Sequence, residues 1–260
     1  LFNENGVGLF KNSYHCGHFQ NKIKQSVTFL IKLMKSPMKT SIWLSLFLIL
    51  GFHGSIAQKF DKNQAMQKET MVEITTDLGT MKVKLYNETP LHRDNFIKLV
   101  TEKTLDSTLF HRVIKTFMIQ GGDPQSKAAK PGQMLGSGDV GYKIPAEIKD
   151  SIYHKRGALA AARDNNPEKA SSGCQFYIVQ GKVFTTEELT AAESRMAIKM
   201  TDKQKELYTT VGGAPWLDGA YTVFGELVEG FDVLDSIGNT ATGPNDRPAT
   251  DIRMTLKIID

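Results

Sequence analysis

Arg112 stands between Phe110-His111 and Val113-Ile114, and a second apolar run, Phe117-Met118-Ile119, follows and ends on Gln120-Gly121-Gly122. A guanidinium keeps its charge at any accessible pH and holds its N–H donors in a rigid fork. Placed among aromatic and aliphatic side chains, such a group can stabilise electron density that shifts during a reaction, without taking or giving a proton. Gln175-Phe176-Tyr177 adds an amide and a phenol at the two-residue spacing that shares one strand face, and Trp216-Leu217-Asp218-Gly219 adds apolar surface. Phe110 and Arg112 have the same spacing, whereas Phe117 and Met118 are adjacent and would need a bend or bulge to face one site.

Other chemistries find less support. Gly136-Ser137-Gly138-Asp139-Val140-Gly141 matches G-x-G-x-x-G, but no buried strand leads into it and Tyr142-Lys143-Ile144-Pro145 opens no helix, so the context for dinucleotide binding fails. Asp123, Asp139 and Glu147 have no spacing that pairs them for hydrolysis, and no nucleophile motif accompanies them. His15-Cys16-Gly17-His18 lacks the distant partner cluster that a zinc site uses. No metal and no cofactor is expected.

The elements that must position these residues read as mainly β. Val72, Ile74 and Thr76, then Met81, Val83 and Leu85, alternate with polar neighbours around a turn at Asp77 to Thr80, which predicts a hairpin. Thr89-Pro90 marks a helix start, with Thr as cap, over about Pro90 to Glu102. Short strands are expected at 110–114, 117–120, 157–162, 174–180, 221–228 and 254–260, and Phe231, Val233, Leu234 and Ile237 recur at helical spacing over 230–237. Many short strands argue for a barrel or a sandwich, and periodicity alone does not choose between them. Residues 183–213 are polar and helix-prone, with capping boxes at Thr185-Thr186-Glu187-Glu188 and Thr201-Asp202-Lys203-Gln204, so two short helices are expected there.

Composition sets outer bounds. The 260 residues are 40% hydrophobic and 23% charged, an ordinary globular balance. Six lysines and one acid fall in residues 1–57, which leaves 26 basic and 27 acidic residues in the rest of the chain. A near-neutral body offers no electrostatic footprint for nucleic acid. Met38-Lys39, the apolar run Ile42 to Phe52 and small residues at Ser55 and Ala57 read as a secretory signal over 38–57, cut after Ala57. The run is shorter than the roughly 20 apolar residues that span a bilayer, so no stable membrane insertion is expected after cleavage. On this reading residues 1–37 are an upstream extension that is not native, 58–70 form a polar linker, and 71–260 form one domain. The exported chain then keeps Cys174 alone and has no internal disulfide.

Arg112 by itself would pass for a surface charge and Phe117 to Gln120 for a core strand. Taken together and in order, these blocks resemble the cyclophilin family of peptidyl-prolyl cis/trans isomerases over nearly all of Met71 to Asp260, with Tyr221 and Arg163 as in its bacterial exported forms. The resemblance implies a closed eight-stranded antiparallel β-barrel capped by two helices, with 183–213 as a helical insertion that lines the substrate groove or only covers the barrel. Carried over, it makes Arg112 catalytic with His111 and Gln120 beside it. It puts Phe117, Met118, Tyr177 and Leu217 around a proline pocket, and Phe110, Ala162, Gln175, Trp216 and Tyr221 along the substrate groove. The Tyr177 hydroxyl, where many members have Phe, would need water or a partner at the pocket floor.

The implied chemistry is rotation about an Xaa-Pro bond. Delocalisation of the nitrogen lone pair opposes rotation by about 18–20 kcal/mol, so uncatalysed exchange takes roughly tens to hundreds of seconds. A guanidinium donating to the prolyl nitrogen as it becomes pyramidal weakens that delocalisation. An acceleration of about 10⁵ needs only about 7 kcal/mol, within reach of a few hydrogen bonds that strengthen in the twisted state. The expected partners are Xaa-Pro peptides and unfolded or newly exported proteins, met by a periplasmic or secreted monomer. The alternative is a module that binds Pro-containing segments without turnover.

Overall fold

The computed structural model describes residues 68–259. The expected upstream extension, the signal segment and most of the linker lie outside the described residues.

The first hairpin pairs β1 (Met71–Thr76) with β2 (Gly79–Leu85) across a two-residue loop, in register Thr76 to Gly79 and Met71 to Lys84. Its alternation works as read: Val72, Ile74, Met81, Val83 and Leu85 are fully buried. Helix α1 (Pro90–Thr101) follows, but Thr89 makes no side-chain cap bond. The capping group is Glu147, 55 residues beyond His92, whose two carboxylate oxygens accept from the backbone N–H groups of Leu91 (3.1 Å) and His92 (3.0 Å). A carboxylate satisfies orphan donors and the positive helix end together, which a hydroxyl cannot.

The remaining strands of the main sheet are β3 (Phe110–Ile114), β4 (Met118–Gly121), β6 (Ala158–Ala161), β8 (Phe176–Val179), β9 (Val223–Glu229) and β10 (Met254–Ile259). With β1 and β2 they form an eight-strand antiparallel half-barrel in the order β10-β1-β2-β9-β6-β8-β4-β3. The ladder is open between β3 and β10. These edges approach at an isolated bridge, Leu109 to Arg253, where Phe110 N–H donates to Ile252 O (3.0 Å) and Met254 N–H to Thr108 O (3.0 Å). A separate pair, β5 (Lys143–Ile144) with β7 (Ser171–Ser172), was not expected; two residues per strand carry no readable period.

Helices α2 (Thr186–Met196) and α3 (Asp202–Thr210) begin at the two expected capping boxes, each complete in both directions. They share a small core of Phe184, Leu189, Met200 and Tyr208, against which Tyr153 packs. The amphipathic α4 (Phe231–Gly238) buries Val233, Leu234 and Ile237. No described helix is long and apolar enough to cross a membrane.

Strand period divides the buried strand residues between two clusters. On β8, Phe176 and Ile178 enter the main core with Phe96, Phe110 and Phe224, while Tyr177 and Val179 join a second cluster with Met118, Ala160, Leu217 and Val223. The second cluster is the face that carries the site.

Candidate active site

Strand register brings the polar residues together. Arg112 on β3 pairs with Gln120 on β4, and Gln120 pairs with Tyr177 on β8, so three consecutive strands present one face. The register shifts between Phe110 and Arg112. This bulge at His111 corrects the expected shared face: Phe110 turns inward, 1% exposed and edge-to-face with Phe176 at 6.3 Å, and does not reach the groove. Phe117 precedes β4 in a tight turn, where Thr116 has φ 60° and Phe117 N–H donates to Ile114 O at 3.0 Å. That turn provides the bend that lets adjacent Phe117 and Met118 face one cavity.

The cavity measures about 170 Å³. Phe117, Met118, Tyr177 and Leu217 form its apolar walls, and Arg112, Gln120, Ala162, Arg163 and Tyr221 complete the lining. Its volume lies well below the roughly 300–1,000 Å³ of pockets for drug-sized ligands, and suits a single small side chain or ring. Trp216 stands outside it, 38% exposed, with its ring tilted on Phe117 at 5.4 Å.

Arg112 is loosely held. Its side chain is 42% exposed, with Nη1 3.4 Å from Gln120 Oε1 and Nε 3.4 Å from Asp246 Oδ2. The glutamines behind it are directed by the backbone. Gln175 Nε2 donates to the carbonyls of Gly136 (2.9 Å) and Gly138 (2.8 Å), which leaves its oxygen to accept from Gln120 Nε2 at 3.1 Å. Gln120 therefore turns its own oxygen toward the guanidinium, and the chain of amides has one consistent direction.

The glycine loop serves this chain and not a phosphate. Asp123 receives the N–H groups of Gly136 and Gly138, Gly136 lies at φ +100°, and a Cβ at Gly138 would overlap the Asp123 carboxylate. The three carboxylates weighed for hydrolysis have separate duties: Asp123 ties this loop, Asp139 accepts from Gly141 N–H at 2.7 Å, and Glu147 caps α1. No group of described residues is arranged to hold a metal.

His111 is 4% exposed and faces a larger cavity of about 760 Å³ on the other flank of Arg112, shared with Asp246 and Arg247. Burial lowers its pKa, which favours the uncharged ring beside Arg112. Tyr177 is 5% exposed, and burial pushes its phenol well above the usual range. Its hydroxyl meets His154 Nε2 at 3.0 Å, the partner the sequence left unspecified. Cys174 is a free buried thiol pushed up to about 11 by burial, outside the reactive range.

Three residues at or behind the site had no role in the sequence reading. Arg163 was noted only as a resemblance to bacterial forms; its guanidinium lies 4.6 Å over the Tyr221 ring and its Nε donates to Ala220 O at 3.0 Å. Asp246 reaches Arg112 from 134 positions away, and His154 reaches Tyr177 from an irregular stretch. Neither lies in a periodic or motif-bearing segment, so no local signal could have found them.

Fold and site together define an antiparallel β half-barrel in which Arg112 and Gln120 border a small cavity with four apolar walls. Residues 71–257 match the model of the cyclophilin type peptidyl-prolyl cis-trans isomerase family, and the chain belongs to that family. It is 34% identical over 184 residues to the peptidyl-prolyl cis-trans isomerase CYP18-1 of Arabidopsis thaliana, covering 70% of this chain and 91% of that protein. A crystal structure of a cyclophilin type peptidyl-prolyl cis-trans isomerase from Cryptosporidium parvum superposes with a TM-score of 0.55 at 24% identity, covering 74% of this chain and 99% of that one. A second structure of that protein, in the presence of the dipeptide Ala-Pro, gives a TM-score of 0.53 at 25% identity, over 73% and 99%.

Proposed function

We propose that this isomerase acts on Xaa-Pro bonds of unfolded or newly exported chains, with Arg112 as the catalytic group and the 170 Å³ cavity as the seat of the prolyl ring. The observation that carries this reading is the position of the half-exposed Arg112 guanidinium beside a cavity of one-ring size walled by Phe117, Met118, Tyr177 and Leu217. A ring held by Phe117, Met118, Tyr177 and Leu217 leaves the preceding carbonyl free to swing. Arg112 then donates to the nitrogen as its lone pair localises, an interaction stronger in the twisted state than in either planar state. The Ala-Pro dipeptide used with the related Cryptosporidium parvum protein supports the same substrate class.

Gln175 orients Gln120, and Gln120 sets the arginine's fork and keeps an amide N–H for substrate backbone, while Trp216 and Tyr221 flank the groove. Export to a periplasmic or extracellular space rests on the signal-like pattern at 38–57. The bridge at Leu109 and Arg253 supports the closed barrel of the family, with β3 and β10 as its seam. Capture without turnover would be favoured by a groove that residues 183–213 cover, and none of them lines the cavity. Exchange spectroscopy on Ala-Pro peptides with the full chain and its Arg112→Ala variant tests the proposal. Strong acceleration by the native chain that the folded variant loses is the expected result; binding without acceleration would replace the enzyme by a recognition module.

A further inference from the structure

The Tyr177 ring forms part of the cavity wall, but its hydroxyl leads away from the cavity into a buried polar chain. It meets His154 Nε2 at 3.0 Å, and the two rings stack with centroids 6.1 Å apart. His154 is 1% exposed; its Nδ1 lies 3.0 Å from Asp218 Oδ1, and the same oxygen accepts the His154 backbone N–H at 2.9 Å. The other oxygen of Asp218 accepts from the Tyr208 hydroxyl at 2.7 Å and from Gln204 Nε2 at 3.0 Å. Both of these donors belong to α3.

The carboxylate sets the direction at its own end of this chain. Hydrogen bonds from His154 and Tyr208 hold the Asp218 carboxyl below its ordinary value although burial works against ionisation. An ionised carboxylate only accepts, so His154 carries a hydrogen on Nδ1, and its Nε2 is left to pair with the Tyr177 hydroxyl. A phenolic oxygen lies on the axis of its ring, so a bond to it restrains how the ring tips and leaves spinning about that axis free. Asp218 also follows Leu217, which lines the cavity, and Tyr208 is fully buried in the small core of α2 and α3. One carboxylate thus joins the helical segment to two parts of the cavity.

We propose that His154 and Asp218 are positioning residues through which α3 fixes the Tyr177 ring, and with it the affinity of the cavity for the prolyl ring. This rests on the cavity being the proline seat. It gives residues 183–213 a role different from a lid: they brace the pocket from behind. Groups so placed contribute to binding of the planar and twisted substrate alike, so they affect KM and leave kcat alone.

The test uses the full chain, Ala-Pro peptides and two variants at residues that do not line the cavity, Tyr208→Phe and Asp218→Asn, each alone and combined with Tyr177→Phe. The expected result is a KM raised about threefold to tenfold with kcat kept within about twofold, and no further change when the Tyr177 hydroxyl is already absent. Nitrogen-15 spectra should show hydrogen on His154 Nδ1 in the native chain. KM unchanged in a folded Tyr208→Phe, or an equal rise whether or not the Tyr177 hydroxyl is present, would overturn the inference and leave a network that serves stability alone. Tyr208→Phe removes one hydroxyl and carries the test if Asp218→Asn loses its fold. Failure of the native chain to accelerate exchange would overturn the isomerase site itself, a result distinct from these.

Discussion

Arg112 and Tyr177 border one cavity and are held in opposite ways. Arg112 is 42% exposed at its side chain and has two contacts of 3.4 Å, whereas Tyr177 is 5% exposed and anchored at 3.0 Å to a histidine that is itself fixed by a carboxylate. The difference fits the work we propose for each. A group that must strengthen its hydrogen bonds as the substrate twists needs spare donors and some freedom, while a wall that defines a ring-sized space must not yield. Packing and paired polar groups are spent on the wall, and the cation is left partly in water.

The contrast predicts separable losses. His154→Ala should be the most destabilising change, by about 3 kcal/mol in denaturant unfolding, since it leaves the Tyr177 hydroxyl and one edge of Asp218 buried without that partner. Arg112→Ala, at a half-exposed position, should stay within about 0.5 kcal/mol of the native stability. Comparable destabilisation by the two would erase the distinction drawn here.

Gln175→Ala should cut kcat/KM by about tenfold, because the amide chain behind Arg112 then loses its direction while the ring-binding walls stay intact. If the rate is unchanged, Gln120 orients the arginine unaided.

The smallest effect expected is on acid sensitivity. Glu147 and Asp218 both have depressed pKa values: burial opposes their ionisation, and hydrogen bonds from His92 and Leu91 in one case, and from His154 and Tyr208 in the other, outweigh it. A depressed carboxylate contributes stability above its unfolded value, near 4.5 for Glu147 and 3.8 for Asp218, and this is lost as pH falls through the lower folded value. Glu147→Gln should therefore cost about 1 kcal/mol at pH 7 and make thermal unfolding less steeply dependent on pH below about 4.5. An unaltered acid profile would show that the N-terminus of α1 does not need the charge.

Much of this was legible in the sequence where the signal is local. Alternation in Val72 to Leu85 marks a half-buried hairpin, and the boxes at Thr185 and Thr201 mark helices whose caps are satisfied within four residues. The motif around Arg112 contains Gln120 and two of the four apolar side chains that border the same cavity, Phe117 and Met118. What escaped depends on distant partners or on a broken period. Thr89 gives way to Glu147 because a carboxylate from across the chain satisfies the α1 terminus better. Phe110 leaves the groove because one bulged residue reverses the strand's faces, and a bulge has no signature in alternation alone. His154 and Asp246 reach the site only through tertiary folding.

The most direct test of the central claim separates kcat from KM for Arg112→Ala with Ala-Pro peptides, using the full chain. An arginine that acts on the twisted bond and not on the bound ring should lose about 10²–10³ in kcat with KM nearly unchanged. A raised KM with kcat preserved would contradict this, and would make Arg112 part of the seat rather than the catalyst.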